Sequence, residues 1–274
     1  MTRAADRLTS LDRYSAACER AAGQIIDVYS TSFGTATRLL GPRHRAHVRN
    51  IYALVRIADE LVDGASDEAG ADAAQQHLAL QMLEDETGRA VASGYSSNPI
   101  VHAFARTARA SGIGADLTGP FFHAMRTDLP GGERDDTATP VTGFSPADHA
   151  RYVYGSAEVV GLMCLRVFLR EESRTAEQHR ILEHGARRLG AAFQNVNFLR
   201  DLADDSDRLG RSYLTAEGRV DAELQREWIT TIRQQLADAA ASLPLLPADA
   251  RVAVGCALRL FARLTDRGLD GIAH

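Results

Sequence analysis

The sequence predicts an all-α fold of about eight to ten helices, and three observations carry that expectation. Strand signals are almost absent, apolar residues recur at steps of three and four along nearly the whole chain, and the interruptions are short clusters of Gly, Pro and Asp. The clearest stripe is Val48, Ile51, Val55, Ala58 and Val62, one face of a helix over 43–63 that Gly64 stops.

The same periodicity predicts a helix over 11–29 before it, then helices over 68–92, 98–112, 116–129, 146–170, 174–204, 221–242 and 247–268. Residues 159–165 are the most apolar stretch, but Glu158 and Arg166 bound it far short of the ~20 residues a spanning helix needs, so it reads as a core helix. Between 130 and 146, Gly131, Gly132, Asp135, Asp136, Pro140 and Gly143 break every period, which predicts a loop or lid. Helical patterning resumes beyond it. Pro244 and Pro247 punctuate the last helix pair, no repeat or low-complexity segment is visible, and residues 1–274 read as one domain.

Composition narrows the function. The 274 residues carry 31 basic against 36 acidic side chains, a net charge of −5 without a basic run, which argues against a nucleic-acid partner. Every basic residue is Arg; without Lys, Schiff-base catalysis and a P-loop lysine are excluded. Cys18, Cys164 and Cys256 are widely spaced and read as small buried hydrophobes of a reducing cytoplasm. Residues 1–11 show no apolar core of signal-peptide length, so a cytoplasmic location is expected.

Two acidic motifs stand out. In Arg56-Ile57-Ala58-Asp59-Glu60-Leu61-Val62-Asp63 and in Gln194 to Asp205, two aspartates lie four apart, Asp59 with Asp63 and Asp201 with Asp205. On a helix each pair projects from one face and can share a cation. A lone pair of this kind is usually a solvated surface. Yet like charges at this spacing cost roughly 0.2–0.5 kcal/mol, and carboxylates near a helix C-terminus face the negative end of its dipole. An unfavourable arrangement occurring twice points to a ligand that offsets it. Carboxylates without Cys or His suit a hard cation, and Mg²⁺ is held by one or two of them while a substrate phosphate completes its shell. Arg56 and Arg200 lie in the same motifs, and metal with guanidinium stabilises a departing diphosphate. Tyr52, Arg56, Asp59 and Asp63, and likewise Gln194, Asn197, Asp201 and Asp205, run at steps of three and four, so each helix presents a polar line to a shared cavity.

At these residues the chain resembles the squalene/phytoene synthase family, most of all its bacterial phytoene synthases. Further matching stretches are Ser30-Thr31-Ser32-Phe33, Ala36 to Leu40, Ile51 to Asp63, Tyr152-Val153-Tyr154-Gly155 to Leu162, and Gly210 to Leu214. The resemblance implies an isoprenoid-synthase helical bundle around a central cavity. In it Asp59, Asp63, Asp201 and Asp205 would hold Mg²⁺, and Ser30, Ser32, Phe33, Arg56, Gln194, Asn197 and Arg200 would bind the prenyl diphosphate. Tyr52 and Tyr154 would stand near the reacting carbons.

The chain also departs from the family. Gly155-Ser156-Ala157-Glu158 stands where Val-Ala-Gly is common, which places Glu158 on a core helix as a candidate base or metal contact. Thr31 stands where Lys is common, and a basic tail has no counterpart after Arg263, Arg267 and Gly268. The first functional reading is Mg²⁺-dependent head-to-head coupling of two prenyl diphosphates in isoprenoid or carotenoid biosynthesis. The second keeps the ionisation but prenylates an aromatic small molecule of secondary metabolism, which needs fewer cations and a base. From a different class, a non-catalytic helical module could bind cations at the acidic helix ends. Greasy products make peripheral membrane contact an expectation, although no basic amphipathic helix is visible.

Overall fold

The computed structural model of the chain describes residues 8–30, 32–129, 146–209 and 222–270. Among them there is no strand. In chain order the helices are α1 (Ser10–Tyr29), α2 (Ser32–Arg38), α3 (Pro42–Asp63), α4 (Ala65–Glu68), α5 (Ala73–Ser93), α6 (Pro99–Ser111), α7 (Ala115–Asp128), α8 (Pro146–Val153), a π-helical turn (Tyr154–Glu158), α9 (Val159–Leu169), α10 (Ala176–Leu209), α11 (Ala222–Ser242), a 3₁₀ turn (Leu243–Leu245) and α12 (Ala248–Asp270).

Local chemistry sets most boundaries. Thr9 with Asp12 and Asp72 with Gln75 form capping boxes, Asn98 accepts from the amides of Ile100 and Val101, and Pro42 and Pro99 open their helices. Gly94 and Gly112 end α5 and α6 in the left-handed region, at φ 85° and 66°.

Three departures from the sequence expectation matter. The helix expected over 68–92 is α4 followed by a break at Gly70 (φ 81°) and a fresh start at Asp72. Residues 32–38 form a short helix that the periodicity did not mark. The helix expected over 146–170 is interrupted by the π turn, in which the Val159 amide bonds the Tyr154 carbonyl five residues back.

The main core gathers around α3, where Val48, Ile51, Leu54, Ala58 and Val62 pack with Phe104 of α6, Phe121 and Phe122 of α7, and Met163 and Val167 of α9. Val55, expected in that stripe, is only partly buried because it turns toward the central cavity. A second cluster joins α10, α11 and α12 through Ala192, Val196, Ile232, Leu236 and Leu258. By length and composition Ala147–Leu169 could cross a membrane, but half of its most apolar window is buried inside the bundle.

Helix crossings beside the cavity are close. A Cβ added at Gly161 would overlap the carbonyl of Ala186, and one at Gly190 the carbonyl of Ala157, so α9 and the π turn lie directly on α10. Gly155 lies equally close to the Pro120 carbonyl and Ala124 of α7. At the far end, Arg43 donates to both Asp249 carboxylate oxygens (2.7 and 3.1 Å) and to Glu172 (2.8 Å), while the Asp249 carbonyl accepts from Gly41 at 2.8 Å. Arg43, then His44, hold the Asp249 carboxyl well below the usual range.

These contacts set two expected outcomes. Gly190→Ala is expected to lower stability by about 1–3 kcal/mol, read as a drop of the melting temperature, because backbone rather than a flexible side chain fills the space. Gly88→Ala, on α5 with open space around it, is expected to raise stability by about 0.5–1 kcal/mol. The second outcome concerns acid. His47, 2.9 Å from Thr107 Oγ1, has its imidazole pushed down to about 4 from 6.5, by burial first and then by Arg170 and Arg106. It is neutral in the fold, so below pH 6.5 the unfolded chain takes up the proton first. Stability is therefore full above about pH 6.5 and falls as the pH drops toward 4. His47→Gln is expected to flatten that slope in urea melts over the window.

Candidate active site

A cavity of about 800 Å³ runs between α3, α9, α10 and α12. Val48, Ile51 and Val55 of α3, Val160, Gly161, Cys164 and Phe168 of α9, and Leu182, Leu189 and Phe193 of α10 make its wall mostly apolar. Polar groups enter it at Ser30, Tyr52, Gln194 and Asn197. Both long helices change character in the same sense. α3 passes from Val48 through Tyr52 to Asp59 and Asp63, and α10 from Leu182 through Gln194 and Asn197 to Asp201 and Asp205.

Tyr52 is half-buried and hydrogen-bonded to Ser30; burial pushes its hydroxyl up, so it stays protonated at neutral pH. The Ser30 hydroxyl also accepts from the Gly34 amide at 3.1 Å, which ties α2 to the cavity wall. Arg56 Nη1 donates to Asp59 Oδ2 at 3.2 Å, Nη2 bonds Glu60, and the guanidinium lies over the Tyr29 ring at 4.5 Å. Its Nε is buried without a partner, a donor left over for an anion. Glu60 also accepts from the Ala65 amide at 3.0 Å and so fastens the start of α4. Its carboxylate is engaged with its own fold.

That leaves Asp59 and Asp63 as the outward-facing pair. The Asp59 side chain is 48% exposed, one turn beyond Val55, which lines the cavity. Burial pushes its carboxyl up, Asp63 and Glu60 add to the rise, and Arg56 offsets it in part. Among the described residues no three His, Cys, Asp or Glu side chains converge as a metal cluster. Two carboxylates beside an anion-seeking guanidinium nevertheless fit Mg²⁺, which takes few protein ligands when a phosphate supplies the others.

Among the expected residues whose side chains are described, Ser30, Tyr52, Gln194 and Asn197 line this cavity, whereas Arg56, Asp59, Asp63, Tyr154 and Glu158 do not. Tyr154 lines a second cavity of about 460 Å³ on the other side of α9, together with Arg166, Arg180 and Arg187. Glu158 is buried with its Oε2 accepting from Arg187 Nε at 2.6 Å. Both side chains lie on the side opposite the central wall formed by Ser156, Ala157 and Val160: Tyr154 lines the smaller cavity, and Glu158 is held by Arg187, which lines it too. The side chains of Ser32, Phe33, Arg200, Asp201 and Asp205 lie outside the described residues; their backbone belongs to α2 and α10.

The structure adds residues that the sequence reading passed over. Tyr152 donates to Asp128 Oδ2 at 2.9 Å, and its hydroxyl is pushed far up by burial, then by Asp128, Asp59 and Asp63. Its ring lies 5.9 Å from that of Phe198 on α10, so it connects the acidic end of α3 with α10. The available signal was the Tyr-x-Tyr pair itself, of which the other member was chosen. Phe193 stacks on Phe261 of α12 with centroids 3.7 Å apart, beside Gln194.

The sequence profile of squalene/phytoene synthase matches residues 26–228. The chain belongs to the squalene/phytoene synthase family. Among relatives in this family, a phytoene synthase of Pseudescherichia vulneris is 34% identical over 204 residues, 72% of this chain and 60% of that protein. A 15-cis-phytoene synthase of Enterobacter agglomerans is 28% identical over 261 residues, 87% and 82% of the two chains. The chain spans about 60% of the length of the first curated relatives it matches. Two solved structures share the fold. One is a dehydrosqualene synthase in complex with ligand (TM-score 0.66, 24% identity, 91% and 85% coverage). The other is a squalene synthase of Alicyclobacillus acidocaldarius (0.69, 19%, 94% of each chain).

In a squalene/phytoene synthase site built this way, Tyr152→Phe removes one hydrogen bond to the Asp128 carboxylate. It is expected to cost about 1 kcal/mol in urea denaturation.

Proposed function

We propose that the chain is a prenyltransferase that ionises an allylic prenyl diphosphate and couples two such substrates head to head, with Mg²⁺ at Asp59 and Asp63 and at Asp201 and Asp205. The observation that carries this reading is the larger cavity, apolar over most of its wall and lined by α3 and α10, two helices whose sequences each run on into a pair of aspartates.

An amphiphile with a hydrocarbon tail and a doubly charged head matches that gradient. The tail would lie along Val48, Val160, Phe168 and Leu182, and the head beside Gln194 and Asn197, with Arg56 reaching it from over the Tyr29 ring that lines the cavity. The unpartnered Arg56 Nε supplies a buried donor to a diphosphate oxygen. When bound, Mg²⁺ neutralises the negative charge that gathers on the leaving diphosphate. The allylic C–O bond breaks with its electron pair staying on diphosphate. The double bond of the second substrate then supplies the electrons of the new C–C bond, and a proton is lost from the product cation; the C–O bond of the second substrate breaks in turn, its diphosphate leaves with the electron pair, and a second proton is lost, so two prenyl diphosphates give one hydrocarbon, two diphosphates and two protons. The apolar wall keeps water from the cation, and the faces of Phe193 and Phe261 offer quadrupole stabilisation beside Gln194.

With Glu158 engaged by Arg187 behind the wall, the base that would favour an aromatic acceptor is not offered to the cavity. Head-to-head coupling is the better-supported reading. Release of a greasy product at a bilayer belongs to the same proposal: Val28 and Leu39 are exposed on the α1 and α2 side, where Tyr29 lines the cavity.

The test is product mass spectrometry. The protein is given Mg²⁺ with geranylgeranyl, farnesyl or dimethylallyl diphosphate, each alone, with and without EDTA. A C40 or C30 hydrocarbon from one donor, lost with EDTA, is the expected result; diphosphate release only when an aromatic acceptor is added overturns it. Asp59→Asn is expected to slow turnover by about 10²–10³-fold, and unchanged turnover would return the acidic ends to a non-catalytic role.

A further inference from the structure

The π turn Tyr154–Glu158 is held at both ends by one residue of α10. Arg187 Nε donates to Glu158 Oε2 at 2.6 Å, and the same guanidinium lies 5.2 Å from the centroid of the Tyr154 ring. This grip is on the outer side of the turn, where Tyr154 and Arg187 line the smaller cavity. The opposite side of the turn, Ser156 and Ala157, continues into Val160 and Gly161 as the wall of the central cavity.

A π turn carries one residue more than an α turn and is uncommon without support from its surroundings. The Ser156 hydroxyl is buried without a partner, so it makes no back-bond that could steady the turn. Support comes from outside: Gly155 lies against α7, the Ala157 carbonyl lies on Gly190, and Arg187 stands one turn before that glycine. The Glu158 side chain is 10% exposed and that of Arg187 50%, so the carboxylate is the committed partner and the guanidinium reaches in from the surface.

We propose that Arg187 and Glu158 are positioning residues: their ion pair fixes the π turn, and with it the Ser156 to Gly161 wall, against the helix that carries Gln194 and Asn197. Neither touches substrate. This inference rests on the prenyl-transfer reading for its consequence. With the wall held, the second substrate's double bond is kept against the allylic cation. With the wall loosened, water reaches the cation, adds its oxygen and loses a proton, so prenyl alcohol forms in place of the coupled hydrocarbon while diphosphate leaves as before.

Removing one partner strands a charge and risks the fold, whereas removing both with groups of similar volume is close to neutral for stability. The test therefore compares Glu158→Gln, Arg187→Met and the double variant for melting temperature, KM, product ratio and amide hydrogen exchange over 154–161. In the double variant the expected result is a melting temperature within a few degrees of the unmodified protein and a KM within about twofold. The ratio of hydrocarbon to prenyl alcohol should be lower on the order of tenfold, and Glu158→Gln should give the same fall, since the pair acts as one unit. An unchanged product ratio in a stable double variant overturns the proposal. Loss of turnover in Glu158→Gln but not in Arg187→Met also overturns it, because the carboxylate would then act on its own. Exchange over 154–161 should rise about tenfold in the double variant whether or not any product forms, and unchanged exchange removes the clamp. If the unmodified protein yields no product from any prenyl donor, the prenyl-transfer reading fails, and the exchange measurement still decides the clamp.

Discussion

Carboxylates one turn apart at the end of a helix repel one another and the helix dipole, and α3, which lines a greasy cavity, ends in that arrangement. Its neighbouring guanidinium lowers the repulsion without removing it, since burial, Asp63 and Glu60 still push the Asp59 carboxyl up. The site is incomplete by its own electrostatics. What completes it must be positive toward the aspartates and negative toward the unpartnered Arg56 nitrogen. A cation carrying a phosphate-bearing ligand meets both demands, and the apolar remainder of the cavity asks for a hydrocarbon on the same molecule.

The tight crossings of α9 and the π turn on α10 serve this constraint. A cavity between helices needs walls that do not collapse into it, and glycine against backbone carbonyl fixes the spacing of the wall more rigidly than interdigitated side chains do. The acidic end of α3 is in turn linked to α10 through Tyr152 and Phe198.

Much of this was legible in the sequence because the signals are local. The stripe of α3 and the polar lines ending in Asp63 and Asp205 need only helical spacing to be read. The faces of α8, the π turn and α9 were not legible. Tyr152, Ser156, Val160 and Cys164 form one line at steps of four; Tyr154, Glu158, Leu162 and Arg166 form another. A helix covered on both sides gives no hydrophobic contrast to choose between them. The choice was made by Arg187, 29 residues beyond Glu158, and by Gly190 beneath Ala157. The start of α5 differs from the expected one for a different reason: Asp67, Glu68 and Ala69 are all compatible with a helix, and the positive φ of Gly70 with the Asp72 cap sets the boundary.

The Arg43 to Asp249 pair joins the start of α3 to the start of α12, residues 206 positions apart in the chain, and both helices line the cavity. A nascent polypeptide leaving the ribosome therefore displays the inner surface of α3 and α9 long before α12 has been made to cover it. Such late closure exposes the hydrophobic lining to wrong partners during synthesis and makes dependence on chaperones a natural property of this architecture.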